Sequence, residues 1–281
     1  MNVMSWHQAI TQCMHAGHAY VIATVVNTQG STPRDGGSKM VITADQTYDT
    51  IGGGRFELLV TQRARELLAA GQGCQRLEPF PLGAQAAQCC GGNLTVMLEC
   101  IPCRDWQVAV FGAGHVGQAL LGILAGLPCQ VTVVDSRPEL APESMPPNAR
   151  MAIDDNPVSA LDTLPDNTWV IVLTHDHGLD FSLCCRLLTD YRWSFTGLIG
   201  SRTKAERFRA RLSREGFSGE AIRRIQCPIG LEGVEGKYPM EVAVSIAAQL
   251  QSLYYQRHER PTGVSTTWRE IKSVLNGEQM E

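Results

Sequence analysis

The chain has 281 residues, 44 % of them hydrophobic and 19 % charged, with a formal net charge of −4 at pH 7. That length supports one large or two ordinary domains with sizeable cores, and the composition is that of a globular protein rather than a disordered or fibrous one. The acidic balance argues against nucleic acid as the main partner, and no window approaches the roughly 20 apolar residues of a membrane span.

Read in order, the start from Met1 to His7 lacks the basic region and apolar run of a signal peptide, so a cytoplasmic protein is expected. Its ten cysteines are then expected as reduced thiols rather than a disulfide framework. Trp6, Ala9, Ile10, Cys13 and Met14 fall on one face of a helix predicted over 6–15. The β-branched run 20–26 predicts a buried strand. A turn-rich stretch over 30–38 is followed by short strands over 39–43 and 47–51. Three glycines, Gly52, Gly53 and Gly54, lead into a helix over 55–70 that Gly71 ends. A strand over 94–99 closes this segment, and residues 100–105, with Pro102, read as a linker. Two domains are therefore expected, 1–103 and 104–281.

From residue 108 onward the pattern changes. Strands over 108–111, 131–135, 169–174 and 195–200 alternate with helices over 114–125, 179–190 and 202–214. Such alternation specifies a doubly wound parallel sheet covered on both faces. The proline-rich stretch 137–148 reads as a loop, 240–255 as a long apolar helix and 265–275 as a terminal one. The arginines at 202, 207, 209, 211, 214, 223 and 224 are interrupted by Glu206, Glu215 and Glu220, the pattern of a solvated helix face.

Gly112-Ala113-Gly114-His115-Val116-Gly117 follows a predicted strand and opens a predicted helix, and Asp135 ends the next strand. This is the context of a dinucleotide fingerprint. Gly112 permits the tight turn, Gly114 lets the backbone approach a pyrophosphate, and Gly117 lets the helix pack close to the strand. The N–H groups of the helix terminus, His115 among them, favour an anion. Asp135 is expected to bond a ribose hydroxyl, which favours NAD or another unphosphorylated ribose. An empty scaffold with the same fold is the rival reading.

Two further turns lie at strand ends of the same half. Thr174 to Asp180 holds His175, His177 and two carboxylates, a composition that suits a metal or substrate site and equally a polar loop with a helix cap. Gly200-Ser201-Arg202 offers Arg202 to a phosphate, or serves as a plain capping turn. In the front half, residues 30–37 bring backbone donors and Arg34. Gly52, Gly53 and Gly54 join a strand to a helix terminus, the geometry of an anion cradle or of a tight turn. Cys89-Cys90-Gly91-Gly92 sets thiols beside flexible backbone, and Cys90 reads as a soft ligand, a sulfur acceptor or a small buried apolar residue. Cys100 and Cys103 form a pair with no second pair at zinc-ribbon spacing.

The blocks GSTPRDGGSKM, IGGGRFE, Cys90-Gly91-Gly92, FGAGHVG, LTHDHGLD, GLIGSRTK and CPIGLEGVEGKYPMEVAVSIAAQL occur in that order between about residues 30 and 250. Together they resemble the XdhC/CoxI family, the accessory proteins of xanthine dehydrogenase and related molybdenum hydroxylases. The resemblance implies an N-terminal α/β domain of the XdhC/CoxI type followed by a Rossmann-like domain. It implies a cytoplasmic, homodimeric chaperone that carries molybdenum cofactor as cargo. With a cysteine desulfurase as partner it would support sulfuration, then insert the cofactor into apo xanthine dehydrogenase or a related hydroxylase. Cys90 transfers as the residue that contacts molybdenum or handles sulfur, and Gly52, Gly53, Gly54 and Glu57 as the glycine-rich family motif. The stretch Val234-Glu235-Gly236-Lys237-Tyr238-Pro239 departs from the Gly-Gly-Lys-Thr-Pro expected there. A carrier needs no general base beside a nucleophile, and no Ser/His/Asp or paired-carboxylate constellation argues for catalysis. The alternative is an NAD-dependent oxidoreductase of a small substrate, with the turn at 112–117 holding the dinucleotide and His175 or His177 as acid–base.

Overall fold

The computed structural model describes residues 4–30, 32, 34–82, 92–103, 105–234, 236–257 and 272. Between Cys103 and Arg104 the chain divides into two compact units. The terminal helix expected over 265–275 falls, apart from residue 272, outside the described residues. Among the described residues no helix is long and apolar enough to cross a membrane.

The first unit is an antiparallel sheet between two helices. Its strands are β1 (Tyr20–Gln29), β2 (Lys39–Ile42), β3 (Thr47–Asp49), β4 (Cys74–Pro81) and β5 (Asn93–Ile101), in the order β3-β2-β1-β5-β4. Residue alternation sends Val21, Ala23 and Val25 to one face, where α2 (Gly54–Ala69) packs Phe56, Val60, Ala64 and Leu67 against them. Tyr20, Ile22 and Val41 face the other way, onto Ala9 and Cys13 of α1 (Trp6–Ala16). Burying a large side chain such as Phe56, only 1 % exposed, contributes about 1.5–3 kcal/mol. β4 escapes a sequence reading because its Cys-Gln-Arg-Leu-Glu-Pro-Phe-Pro carries two prolines and two charges. Proline donates no ladder hydrogen bond, and β4 is an edge strand, where that is tolerated.

The second unit is the doubly wound α/β domain. Its strands are β6 (Gln107–Phe111), β7 (Gln130–Asp135), β8 (Ala149–Ile153), β9 (Trp169–Val172), β10 (Phe195–Leu198) and β11 (Ile225–Gln226). All pair in parallel, in the order β11-β10-β9-β6-β7-β8. This is the Rossmann order, with the chain reversing its winding between β6 and β9. Val108 and Val110 point to one face, onto α3 (His115–Leu124) and α7 (Pro239–Arg257). Ala109 and Phe111 point to the other, onto α4 (His177–Thr189), α5 (Arg202–Arg214) and α6 (Gly219–Arg223). The arginine-rich α5 is only partly a solvated face. The Arg211 guanidinium lies 3.7 Å from the Phe181 ring centroid, and Arg209 donates to the Cys227 carbonyl at 3.2 Å. Trp106 stacks on Tyr254 of α7 at 4.3 Å, and the Tyr254 hydroxyl donates to Asp105 at 3.1 Å.

Candidate functional site

In the second unit the glycine turn expected at 112–117 joins β6 to α3. Gly112 has φ +118°, and a Cβ there would collide with the Leu173 carbonyl oxygen of the neighbouring strand end. A Cβ on Gly117 would overlap the carbonyl oxygen of Gly112, so only glycine lets α3 pack this close to the turn. At Gly114 a Cβ would meet nothing within 4 Å, which leaves the backbone approachable from the open side. His115 is exposed at the first turn of α3. The position lies at the carboxyl edge of the sheet beside the switch between β6 and β9, where this fold binds ligands.

Asp135 sits beside the turn and is 5 % exposed. Its Oδ2 accepts from Ala113 N at 2.7 Å and from Arg137 Nη2 at 2.9 Å. Its Oδ1 accepts from Arg137 Nε at 2.9 Å and from Arg137 N at 3.1 Å. A carboxylate offers about four lone-pair sites, and the protein itself fills them. Burial alone would raise this carboxyl. The Arg137 guanidinium and the Ala113 and Arg137 N–H groups outweigh it and hold the group at about 2. The expectation that Asp135 meets a ribose hydroxyl thus encounters an acceptor already engaged.

Across the crevice, the loop after β9 also uses its carboxylates internally. Asp176 is the N-cap of α4, accepting from Gly178 N at 2.6 Å and Leu179 N at 3.3 Å, and those N–H groups hold it below the usual carboxylate range. Asp180, fully buried, accepts from the Thr174 hydroxyl at 2.7 Å and Thr174 N at 3.2 Å. It also pairs with Lys204 Nζ at 2.6 Å, while Lys204 donates to the Ile199 carbonyl at 2.9 Å. Lys204 closes the block GLIGSRTK, but nothing in the sequence marks its pairing with Asp180, because it sits among the arginines of a helix that reads as solvated. His175 is exposed on this loop and His177 at the first position of α4. Among the described residues no group of three or more His, Cys, Asp or Glu side chains is arranged to hold a metal ion. Arg202 is exposed at the first position of α5, and Ser201 caps that helix through Lys204 N at 3.2 Å.

In the first unit, strand register brings the glycine-rich features to one end of the sheet. Gln29 pairs with Asn93, and Asn93 with Pro81, so the carboxyl ends of β1 and β4 lie beside the start of β5. Lys39 pairs with Thr24 and Met40 with Asp49, which brings the start of β2 and the end of β3 to the same end. The stretch carrying Arg34, the turn at 50–54 and the ends at 82 and 92 therefore emerge together. Arg34 is exposed there. Leu82 N donates to the Gly92 carbonyl at 2.9 Å, joining the last two ends. Cys89, Cys90 and Gly91 lie in sequence between those ends and outside the described residues.

The glycine turn has an internal occupant. Glu57 Oε2 accepts from the Thr50 hydroxyl at 2.5 Å, Ile51 N at 3.1 Å and Gly53 N at 3.1 Å. Gly52, Gly53 and Gly54 all have positive φ, at +138°, +73° and +65°, which other residues rarely adopt. The turn is an anion cradle in geometry, and the anion it holds is a carboxylate of the protein.

The cysteines divide by environment. Of the eight described ones, Cys13, Cys100, Cys129, Cys184 and Cys227 are buried. Cys100 faces the first core opposite Cys74, and burial pushes its thiol up to about 11. Cys103 is exposed and donates to the Gly17 carbonyl at 2.9 Å.

Comparison with known proteins adds two family matches. Residues 108–250 match the XdhC Rossmann domain, and residues 13–78 match the XdhC and CoxI family. An uncharacterized protein of Escherichia coli K12, YqeB, is 28 % identical over 239 residues, which is 82 % of this chain and 43 % of that protein. The chain thus spans less than half the length of that relative. Among solved structures, one described as a xanthine dehydrogenase from Bacillus halodurans is similar at 18 % identity. That match covers 91 % of this chain and 97 % of the other, with a TM-score of 0.49. A Rossmann-fold NAD(P)-binding family protein from Shigella flexneri is similar at 13 % identity, over 54 % of this chain and 88 % of the other, with a TM-score of 0.35. At these scores neither bears on activity.

Proposed function

The chain belongs to the XdhC and CoxI family, and on that premise we propose that it is an accessory chaperone that carries molybdenum cofactor to a molybdenum hydroxylase. In this reading it binds the cofactor as cargo, supports its sulfuration with a cysteine desulfurase, and inserts it into apo xanthine dehydrogenase or a related enzyme. It works in the cytoplasm as a homodimer. Cys90 supplies a thiol for the molybdenum or the transferred sulfur, Arg34 a cation for the cofactor phosphate, and the Rossmann unit a second binding element.

The observation that supports the reading is that the stretch carrying Arg34, the glycine turn at 50–54 and the chain ends at residues 82 and 92, between which Cys90 falls in sequence, lie at one end of the antiparallel sheet. A dithiolene-bound soft metal with an anionic phosphate calls for a thiolate and a cation within a short span, together with approachable backbone. His175, His177 and Arg202 stand at the carboxyl edge of the Rossmann sheet as further contacts for a bound molecule. The NAD-dependent oxidoreductase is the weaker reading, since the carboxylate that would take an unphosphorylated ribose is engaged by Arg137.

The test is the molybdenum content and pterin fluorescence of protein purified from a cofactor-producing host, with Cys90 intact and as Cys90→Ala. The intact protein should carry both signals, and the variant should lose most of the metal and fail to activate an apo-hydroxylase. Absence of metal and pterin from the intact protein, together with unimpaired activation by the variant, would sink the proposal.

A further inference from the structure

We infer that Arg137 decides which ligands the Rossmann crevice accepts, by closing Asp135 to a free ribose diol and presenting a guanidinium to a phosphate instead. In this fold an acidic residue ending the second strand takes the ribose hydroxyls of an unphosphorylated dinucleotide, whereas a nearby arginine accommodates a phosphate on that ribose. Here both residue types are present, and the geometry ranks them. Both oxygens of Asp135 are bound in a fork by Arg137 Nε and Nη2, each at 2.9 Å, and each oxygen also receives a backbone N–H. A ribose hydroxyl donating to Asp135 would have to displace one of these charge-assisted bonds, which are about twice as strong as neutral ones.

The same fork fixes the arginine. With Nε and Nη2 held on Asp135, the planar guanidinium directs Nη1 away from the carboxylate. The Arg137 side chain is 32 % exposed, whereas Asp135 is 5 % exposed, so the cation and not the anion faces incoming ligand. Glu139 is a second carboxylate that acts electrostatically on Arg137. The turn beside them is open at Gly114. The specificity read from Asp135 alone, for an unphosphorylated ribose, is thereby inverted. This inference does not rest on the molybdenum reading, because it concerns the second unit alone.

NADH and NADPH serve as probes that differ by one phosphate on the ribose, titrated into the full chain and followed by nicotinamide fluorescence. Wild type should bind NADPH at least tenfold more tightly than NADH. Arg137→Ala should bring that ratio to one or below, by removing the guanidinium and freeing Asp135. Arg137→Lys, which keeps a charge beside Asp135 but not the fork, should give an intermediate ratio and decides the matter if Arg137→Ala fails to fold. Equal binding of the two probes to wild type overturns the inference, as does binding of neither up to millimolar concentration. An unchanged ratio in whichever variant folds also overturns it. Repeating the titration with Cys90→Ala separates the two readings, since the ratio should be the same whether or not the chain carries molybdenum cofactor.

Discussion

Asp135, Asp180 and Glu57 are carboxylates engaged by partners within the chain. Asp135 shows the effect most plainly, because its pKa ties the local geometry to stability. Its carboxyl is held at about 2 in the folded chain, against about 3.9 when unfolded. A depressed folded value stabilises the protein fully above the unfolded pKa, and that contribution is lost as pH falls through the folded one. The contribution is on the order of 2 kcal/mol. Asp135→Asn should therefore lower the stability of the second unit at pH 7, and its deficit against wild type should shrink between about pH 4 and pH 2. Urea unfolding across that range checks it, and a pH-independent deficit would contradict it. The position of Asp135 was legible in sequence, because a fingerprint glycine turn and the next strand end locate it. Its occupancy was not, since that depends on how the Arg137 side chain folds back toward the turn.

At the level of elements, the pair of fully buried Asp180 and largely buried Lys204 joins the ends of β9 and β10 through α4 and α5. Removing one partner of a buried pair costs about 3–5 kcal/mol, but the two partners are not equivalent. Lys204→Met leaves a fully buried carboxylate with only Thr174 to serve it. Asp180→Asn keeps an acceptor for Thr174 and leaves Lys204 bonded to the Ile199 carbonyl and 13 % exposed. Lys204→Met should therefore destabilise more than Asp180→Asn, as measured by denaturant midpoints. The reverse order would mean that the lysine, not the carboxylate, is the poorly solvated partner. The strands of the central sheet were legible because they are continuous apolar runs. The edge strands β4 and β8 were not, since edges tolerate prolines, charges and exposed positions that erase the pattern.

For the molecule as a whole, the described hydrophobic clusters fall wholly within one unit or the other. Leu98, fully buried in the first unit, offers a way to test their independence. Leu98→Ala should cost that unit about 2–5 kcal/mol, and amide hydrogen exchange should show lost protection over 20–101 while the strands of 107–198 keep theirs. A parallel loss in both regions would show that the units unfold as one. The gathering of turns at one end of the first sheet was not legible in sequence, because register belongs to pairing rather than to local sequence. The Glu57 carboxylate seated among those turns has a consequence for everything that arrives there. A tethered occupant competes at an effective concentration of about millimolar. An arriving anion would therefore have to displace Glu57 before it could use the Ile51 and Gly53 N–H groups.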